Sequence, residues 1–547
     1  MFTNLQDFLK REGDFSFWKN IIFMAMLAGL ANAGLLAVIN TAAKIVEDEG
    51  LNYRLFAIYA VIFLIFYISK RYSLIHASQE VERIIKNVRE RISEKILKSE
   101  LQAIEKIDTS AIFTRLTRDT AIMSQSSFQI TNAAEGVIMI FFALIYILIL
   151  SPISFFVILF ATIIILSMFL SFSKIINKEL TEMDRAEEGF IRSLTSILNG
   201  FKELKMNSKK REDINSTHKN TLTNLSNAKI KNSTDMVTYM MYGEVFLYIL
   251  LASVVFIVPH LTTEESIIII QVTATTLFII GPFETIVNVA PMVSRTNVAI
   301  NNIYDLEASL NEQSKTLITV EDNSLEKIED FKQIQLKNAS FYYTDKIKNK
   351  LFKVGPINLS INKGETIFII GGNGSGKSTI IKMLLGLYPP KEGSIFVDED
   401  RIDEYTQQSY RNLFSIILTD FHLFEKFYGL KGISRQAVNA LLREMQLEEK
   451  TKFVNGGFTN IDLSTGQKKR LALILSILED KQIYVFDEWA ADQDPEFRKY
   501  FYTKILDKLK KDGKTIIAVT HDDAYFHVAD RIFKMEYGQM LPYPKGN

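Results

Sequence analysis

The chain has 547 residues, a formal net charge of +0 and no cysteine. The balanced charge gives no general indication of nucleic-acid binding, and the absence of cysteine excludes disulfides, thiolate metal sites and cysteine catalysis. The apolar content of 48% is uneven, since long apolar runs fill the first 300 residues and the remainder alternates as soluble α/β proteins do. We therefore expect two domains, residues 1–310 and 331–547, joined by a polar and acidic linker at 311–330.

Long apolar runs dominate the first of these domains. Residues 1–20 carry mixed charges and end in no small-residue cleavage site, so we do not interpret them as a signal peptide. A membrane-spanning helix needs about 20 apolar residues. Six runs meet this length, at about 17–39, 53–75, 130–150, 153–172, 236–258 and 267–289. Only Ser151 and Pro152 separate the third run from the fourth, which predicts a helical hairpin.

Basic residues predict how the six spans are oriented. Lysine and arginine are concentrated in two long connections, after the second span and after the fourth, whereas the other connections are short and acidic or neutral. Because positively charged loops remain in the cytoplasm, we expect both long connections and both chain termini on that side.

The two long connections repeat apolar residues at helical spacing, which predicts helices continuing out of the membrane. Turns at their tips would contact a second domain, and the candidates are 107–119 (IDTSAIFTRLTRD) and 198–207 (LNGFKELKMN). A solvated loop is the alternative in each case.

Three carboxylates lie in or near the apolar runs: Glu135, Glu244 and Glu284. Charges at membrane depth are costly and usually face a bundle interior or water. Glu284 follows Gly281-Pro282, where a helix can bend, and Asn288 lies one turn later. Glu244, Glu284 and Asn288 are therefore candidates for a substrate path. Interhelical hydrogen bonding or a position at headgroup depth is the alternative.

The second domain contains a phosphate-binding pattern, GGNGSGKST at 371–379. A β-branched run precedes it and an apolar helical stretch follows it, which is the context that a phosphate loop needs. The glycines allow backbone N–H groups to surround an anion at a helix N-terminus, Lys377 reaches the β and γ phosphates, and Ser378 binds Mg²⁺. The predicted nucleotide contacts in this stretch are Gly371, Asn373, Gly374, Ser375, Gly376, Lys377, Ser378 and Thr379.

Further motifs with groups suited to phosphate and metal chemistry follow along the chain. The turn LSTGQ at 463–467 opens a helix and is followed by Lys468, Lys469 and Arg470, so we interpret it as a second anion site. The buried run 483–486 ends in Asp487, a candidate Mg²⁺ ligand, and Glu488, a candidate general base. The run 515–519 ends before His521, where α/β sheets place ligand groups. Strand-end caps and a structural histidine are the alternatives.

Taken together, these motifs resemble the ABC transporter superfamily along essentially the whole chain. The resemblance implies a six-helix transmembrane domain followed by an α/β P-loop ATPase domain, in the order of exporter half-transporters. It assigns the Walker A motif to 371–378 and the Walker B motif to Asp487 with the catalytic Glu488. The remaining nucleotide contacts that it implies are the A-loop Tyr343, Ser464, Gly466 and Gln467 of the signature, the D-loop Asp494 and the catalytic H-loop His521.

A narrower resemblance points to the cyclic-peptide and siderophore exporters of the pyoverdine type. It rests on GFKELKMN at 200–207, TDFHLF at 419–424 and DEWAADQDPEFR at 487–498. One departure is that Thr419 stands where most ABC proteins have the Q-loop glutamine, so that Thr419 or the adjacent Asp420 is left to contact the metal. The D-loop also reads AADQD, which means that Asp494 is assigned by its spacing from Glu488.

The resemblance implies ATP-driven export of an amphipathic molecule by a homodimer, with ATP and Mg²⁺, in a bacterial inner membrane. ATP would lie between the phosphate loop of one chain and the signature of the other. The expected cargo is a cyclic peptide, lipopeptide or peptide siderophore, and no nucleic acid is expected. A lipid flippase or broad drug exporter is the first alternative, and an ATP-gated membrane protein that pumps nothing is the second.

Overall fold

The computed structural model describes residues 3–13, 15–49, 52–107, 109–261, 266–313, 328, 330–344 and 350–544. It divides the chain into two compact units. The first is formed by Met1–Leu97 and Asp108–Leu310, and the second by Lys98–Ile107 and Asn311–Asn547. The expected linker at 311–330 lies largely outside the described residues, although its first three residues belong to a helix that ends at Gln313.

The first unit is built of helices. They are α1 (Thr3–Glu12), α2 (Phe15–Glu49), α3 (Tyr53–Lys98), α5 (Thr109–Thr114), α6 (Thr120–Leu150), α7 (Pro152–Asn199), α8 (Phe201–Met206), α9 (Ser208–Ala252), α10 (Val258–Leu261) and α11 (Ser266–Gln313). Two π-helical turns, Arg115–Asp119 and Ser253–Ile257, lead into α6 and α10. The short α4 (Leu101–Lys106) lies in the segment that belongs to the second unit.

Five helical segments among the described residues are long and apolar enough to cross a membrane: Phe17–Ala43, Tyr53–Lys98, Ala111–Leu150, Ser208–His260 and Ser266–Asn311. Large side chains on these segments point outward, such as Phe56 at 69% exposure and Phe256 at 72%. Water disfavours such surfaces and bilayer hydrocarbon accepts them. The first unit is therefore a membrane domain. The fourth predicted span appears only as the shorter apolar stretch Pro152–Ile164, so the count of six is not established.

The connections between the helices agree with the sequence at one point and differ at others. Ser151 caps α7 by accepting a hydrogen bond from Ser154 N at 3.2 Å, as the expected hairpin requires. Helix α8 lies within the predicted tip 198–207. The other predicted tip, 107–119, is wrong, because the short helix is α4 and residues 109–119 already lead into α6. Asp119 is buried there. The bend expected at Pro282 does not interrupt α11.

The second unit contains two main sheets. Its strands are β1 (Gln333–Thr344), β2 (Lys350–Asn362), β3 (Thr366–Gly371), β4 (Glu392–Val397), β5 (Asp400–Arg401), β6 (Phe414–Ile417), β7 (Phe453–Val454), β8 (Gly457–Phe458), β9 (Ile483–Asp487), β10 (Thr515–Val519), β11 (Arg531–Glu536) and β12 (Gln539–Tyr543). An antiparallel sheet has the order β2-β1-β4-β5, and a six-stranded sheet has the order β12-β11-β3-β10-β9-β6. In the larger sheet only β12 is antiparallel to its neighbour.

The helices of the second unit cover this larger sheet. They are α12 (Lys377–Leu384), α13 (Gln407–Arg411), α14 (Arg435–Glu444), α15 (Thr465–Glu479), α16 (Pro495–Tyr500) and α17 (Leu506–Lys511). Strands β3, β9 and β10 are buried along nearly their whole length, and alternate residues enter two different cores. Ile367 and Ile369 of β3 belong to one core, and Phe368 and Ile370 to the other. Because both faces of these strands are buried, their sequences are continuous apolar runs.

The parallel register sets the position of the site. Val519 of β10 pairs with Ile369 of β3 on one side and with Asp487 of β9 on the other. The carboxyl ends of the three strands therefore lie side by side. Each strand is followed at that edge by a polar segment, which is where open α/β sheets bind ligands.

Candidate functional site

The phosphate loop runs from the end of β3 to the first turn of α12. Gly371 and Gly376 have φ angles of +148° and +106°. A Cβ on Gly371 would lie 2.5 Å from the backbone oxygen of Met535, so a side chain is excluded there. Lys377 folds back over the loop, and its Nζ donates to the oxygens of Gly371 at 2.8 Å and Gly372 at 3.2 Å. Charged phosphate oxygens accept more strongly from an ammonium than these neutral carbonyls do, so a bound nucleotide can take their place.

The remaining predicted contacts surround this loop. Asn373, Gly374 and Ser378 are exposed, whereas Ser375 and Thr379 are buried. The hydroxyl of Ser375 has no hydrogen-bond partner. Tyr343, on β1, places its hydroxyl 3.1 Å from Thr379 Oγ1 and keeps part of its ring exposed. The ring is therefore available to stack on a base.

Two other strand ends bring charged groups to the same place. Glu488, directly after β9, has its Oε1 3.6 Å from Lys377 Nζ and 3.3 Å from His521 Nε2. Its φ of +50° is unusual for a residue with a side chain. The backbone holds this conformation, because Glu488 N donates to Val519 O at 3.1 Å and Glu488 O accepts from Lys469 Nζ at 2.7 Å.

Asp487 is the buried carboxylate of the site. Burial raises the pKa of its carboxyl, hydrogen bonding from Thr419 lowers it, and the nearby charge of Glu488 raises it further. Thr419 also donates from Oγ1 to the backbone oxygen of Asp487 at 3.2 Å. Thr419 therefore lies beside the metal-ligand candidate, and Asp420 next to it is exposed.

Magnesium fits these groups. Asp487 provides a buried carboxylate and Ser378 an exposed hydroxyl, which are oxygen ligands of the kind that Mg²⁺ takes in small number together with phosphates. Among the described residues no group of three or more His, Asp or Glu side chains forms a metal cage. A site shared with nucleotide phosphates is consistent with this small protein contribution.

The signature turn opens α15. Ser464 and Gln467 form a capping box, in which Ser464 N donates to Gln467 Oε1 at 3.3 Å. Gly466 lies against the segment after β9, since a Cβ there would be 2.5 Å from Asp492 O. Among the described residues no hydrogen bond or ion pair joins this turn to the phosphate loop.

Asp494, expected to contact nucleotide, has structural partners in its own chain. It caps α16 by accepting from Phe497 N at 2.9 Å, and its Oδ2 lies 2.6 Å from an Arg470 nitrogen. The Phe497 N–H and the Arg470 charge hold the pKa of this carboxyl below its usual range.

Sequence reasoning missed what two of the basic residues after the signature do. Lys469 is 1% exposed and pairs with Asp492 at 2.7 Å besides bonding to Glu488 O. Arg470 donates to Gln493 at 2.8 Å and lies 3.6 Å over the Phe497 ring. Both therefore hold the segment after β9 in place. The sequence carries no local signal for this role, because the partners of both residues lie far along the chain.

In the membrane domain, the sequence places Asn288 one turn after Glu284, and the structure brings Glu244 beside them. They line a small cavity of about 50 Å³ between α9 and α11. Glu135 lies elsewhere, in a larger cavity.

Comparisons with known proteins match both parts of the chain. Residues 18–283 match the ABC transporter transmembrane region, and residues 354–491 match the ABC transporter domain. The chain is 30% identical over 539 residues to the ATP-binding protein SyrD of Pseudomonas syringae pv. syringae, covering 95% of this chain and 93% of the relative.

Other relatives extend the likeness. An ATP-dependent lipid A-core flippase of Wigglesworthia glossinidia brevipalpis is 26% identical over 497 residues, covering 85% of this chain and 81% of the relative. The solved structure of a bacterial Atm1-family ABC exporter with ATP bound superimposes with a TM-score of 0.76 at 17% identity, over 97% of this chain and 94% of that one.

Proposed function

The chain belongs to the ABC transporter family, as an exporter whose ATPase domain drives transport, and we propose that it exports an amphipathic peptide: a cyclic peptide, a lipopeptide or a peptide siderophore. The observation that supports ATP-driven transport most directly is that Lys377, Glu488 and His521 lie close together at the ends of β3, β9 and β10. The cargo class rests on the resemblance of 200–207, 419–424 and 487–498 to pyoverdine-type exporters.

Each residue of the site has a proposed role in hydrolysis. Lys377 exchanges its two carbonyl partners for β and γ phosphate oxygens, and backbone N–H groups of 371–376 complete the cradle. Glu488 accepts the proton of the attacking water, and His521 contacts the γ phosphate. Ser378 and Asp487 would hold Mg²⁺, which would supply neutralisation of the phosphate charge. Tyr343 stacks on the base.

A homodimer completes the site. The signature turn of a chain makes no described hydrogen bond or ion pair with its own phosphate loop, and Ser464, Gly466 and Gln467 lie at the N-terminus of α15, which favours an anion. We propose that this turn binds the γ phosphate held by the partner chain. Asp494 would position the turn through its ion pair with Arg470. Closure of the two ATPase domains would turn the transport path outward.

The proposed setting is the bacterial inner membrane, with six spans and both termini in the cytoplasm. The basic connections after the second and fourth spans support this orientation. The domain limits 1–310, 311–330 and 331–547 belong to the same proposal.

A lipid flippase remains the second candidate, because a relative named as a lipid A-core flippase covers 85% of this chain. A membrane protein that pumps nothing is less well supported, because Asp487 and Glu488 are both present at the end of β9.

The test is ATP hydrolysis by the purified chain in lipid nanodiscs, titrated with cyclic peptides, siderophores and lipid A. Saturable stimulation by the peptides is expected. Stimulation by lipid A alone would favour the flippase, and hydrolysis that no ligand changes would contradict the proposed cargo.

The general base has its own test. Glu488→Gln removes the proton acceptor but keeps the shape of the side chain, so we expect hydrolysis to fall by about 10²-fold or more while ATP still binds. Glu496→Gln, on an exposed carboxylate of α16, is the matched control. Hydrolysis by Glu488→Gln at the wild-type rate would contradict the assignment.

A further inference from the structure

Four helices of the membrane domain enclose a cavity of about 350 Å³. Polar groups reach it from every one of them: Asn32 from α2, Lys70 from α3, Asn132 and Glu135 from α6, and Thr285 from α11. Its volume lies at the lower end of the range for small-molecule sites. Polar and charged groups among apolar membrane helices cost free energy, and they usually mark a functional site.

The carboxylate of Glu135 is the key group of this cavity. The residue is 7% exposed, and Oε2 lies 3.5 Å from Lys70 Nζ. Oε1 is buried and accepts no hydrogen bond of normal geometry, and the buried Ser73 hydroxyl, which has no other partner, is near enough to donate to this carboxylate. A buried carboxylate that lacks strong donors costs more than a neutral polar group would. Because Ser73 is a neutral donor, Glu135 keeps capacity for a charged donor from the cavity.

Lys70 does not by itself satisfy the hydrogen-bonding capacity of the Glu135 carboxylate. Its side chain is 40% exposed, and its ammonium lies 5.5 Å from the centre of the Phe66 ring, so part of its charge is already solvated or stacked. Both Lys70 and Glu135 lie five residues inside the ends of their apolar runs, 53–75 and 130–150, which is about 8 Å along a helix. Lys70 and Glu135 therefore lie at a similar depth in the membrane domain, and Lys70 contacts Oε2 of Glu135 but not Oε1.

Close helix contacts fix the walls of the cavity. A Cβ on Gly29 would lie 2.6 Å from Ile138 Cγ2, and one on Gly136 would lie 3.2 Å from Pro282 O. Glycines at these positions let α2, α6 and α11 approach closely around the carboxylate. The cavity is thus held by backbone packing and does not depend on one side-chain conformation.

We propose that this cavity binds a protonated amine or guanidinium group of the cargo, with Glu135 Oε1 as its acceptor. This deepens the proposed function and rests on it, because it adds a cationic group to the amphipathic cargo. Lys70 then acts as the internal counter-ion with which the cargo's cation competes, and Asn32, Asn132 and Thr285 accept or donate around it.

The test uses a matched pair of probes. They are a radiolabelled N-dodecanoyl peptide amide with one lysine, and the same peptide with that lysine acetylated. Binding is measured without nucleotide in nanodiscs. We expect the wild-type chain to bind the lysine form about tenfold more tightly, and Glu135→Gln to bind both forms equally. Lys70→Met should bind the lysine form several-fold more tightly than wild type does, a gain that a misfolded variant would not give.

Three results would overturn the inference. Equal binding of both probes by the wild-type chain would contradict the cation site while leaving the amphipathic cargo intact. Discrimination that survives Glu135→Gln but is lost in Glu244→Gln or Glu284→Gln would assign the cation to the smaller cavity instead. Absence of binding by either probe would contradict the peptide cargo as well as this site.

Discussion

Thr419 influences the charge of Asp487 through its hydroxyl. Burial raises the pKa of the Asp487 carboxyl, and hydrogen bonding from Thr419 works against that increase. Because the ionised carboxylate is the form proposed to hold Mg²⁺, activity should fall on the acid side as Asp487 takes up a proton. Thr419→Val removes the hydroxyl, so the acid limb of kcat/KM for ATP should move to higher pH.

The pH profiles of wild type, Thr419→Val and Thr419→Ser measure this effect. Serine keeps the hydroxyl and should leave the acid limb near its wild-type position. An acid limb that does not move in Thr419→Val would show that Thr419 does not act through the charge of Asp487.

The contacts of Lys469 predict how this residue affects the stability of the ATPase domain and kcat. Its buried ammonium bonds to Glu488 O at 2.7 Å and pairs with Asp492. Lys469→Met should destabilise the ATPase domain by about 2 kcal/mol, as expected for a lost hydrogen bond to a charged group. It should also lower kcat more than it changes the KM for ATP, because it frees the backbone of Glu488.

Thermal unfolding followed by the fluorescence of the adjacent Trp489 checks the stability. Lys499→Met is the control, since Lys499 is exposed on α16. A Lys469→Met chain that is as stable as this control and has an unchanged kcat would show that Lys469 does not position Glu488.

At the scale of elements, α4 is held by ion pairs to residues around the nucleotide site. Glu105 accepts from Lys382 Nζ at 2.8 Å and from the hydroxyl of Tyr388. Tyr388 in turn contacts Tyr343 edge-on, with ring centres 6.3 Å apart. Burial and the hydrogen bond to Glu105 raise the pKa of Tyr388. The base-binding candidate Tyr343 is therefore two contacts away from the α4 carboxylate.

This predicts that Glu105→Gln weakens the attachment of α4 by about 1 kcal/mol, or roughly fivefold. Stimulation of hydrolysis by cargo should fall while hydrolysis without cargo continues. Lys106→Gln, on an exposed neighbour, is the control. The ratio of stimulated to unstimulated rates is the measurement, and a wild-type ratio in Glu105→Gln would contradict coupling through this contact.

A cluster of charges joins α1, α3 and α11 within the membrane unit. Arg91 Nη1 lies 2.7 Å from Glu12, and its Nε lies 2.9 Å from Glu307, which also accepts from Lys95 at 2.6 Å. Glu307 is 3% exposed, so its charge depends on these cationic partners.

Glu307→Gln leaves Arg91 and Lys95 beside a neutral group, so it should destabilise the chain by about 2 kcal/mol. Thermal unfolding measures this, with Glu94→Gln on the exposed face of α3 as control. A Glu307→Gln chain as stable as this control would contradict a stabilising role for the charge cluster.

At the scale of the whole molecule, the proposed homodimer predicts complementation between two inactive chains. Lys377→Ala damages the phosphate loop and Ser464→Arg damages the signature. A mixed dimer places both defects in one composite site and leaves the other site intact. Random mixing should therefore restore about a quarter of wild-type hydrolysis, from half of the dimers with one of two sites each. Co-reconstitution at equal amounts measures it, and no recovery would indicate that each chain binds ATP within its own domain.

Local pattern was sufficient where a function depends on neighbours in sequence. The phosphate loop, the Walker B pair and the buried strands were predictable because glycine spacing and β-branched runs report backbone geometry directly. The helical hairpin at Ser151 was predictable for the same reason. The first loop tip was not, because apolar spacing runs through 101–119 without a break, and only packing decides that α4 belongs to the second unit.

Contiguous composition and spacing were therefore enough to predict the two-part organisation, the membrane character of the first part and the ATPase motifs. Which charged side chains are paired inside the protein depends on packing. Lys469 and Arg470 belong to a basic run in the sequence but are buried and hold the segment after β9, and Glu135, one of three carboxylates in or near the apolar runs, lies in a cavity of about 350 Å³. Burial and pairing depend on residues far apart in the chain, which no local pattern contains.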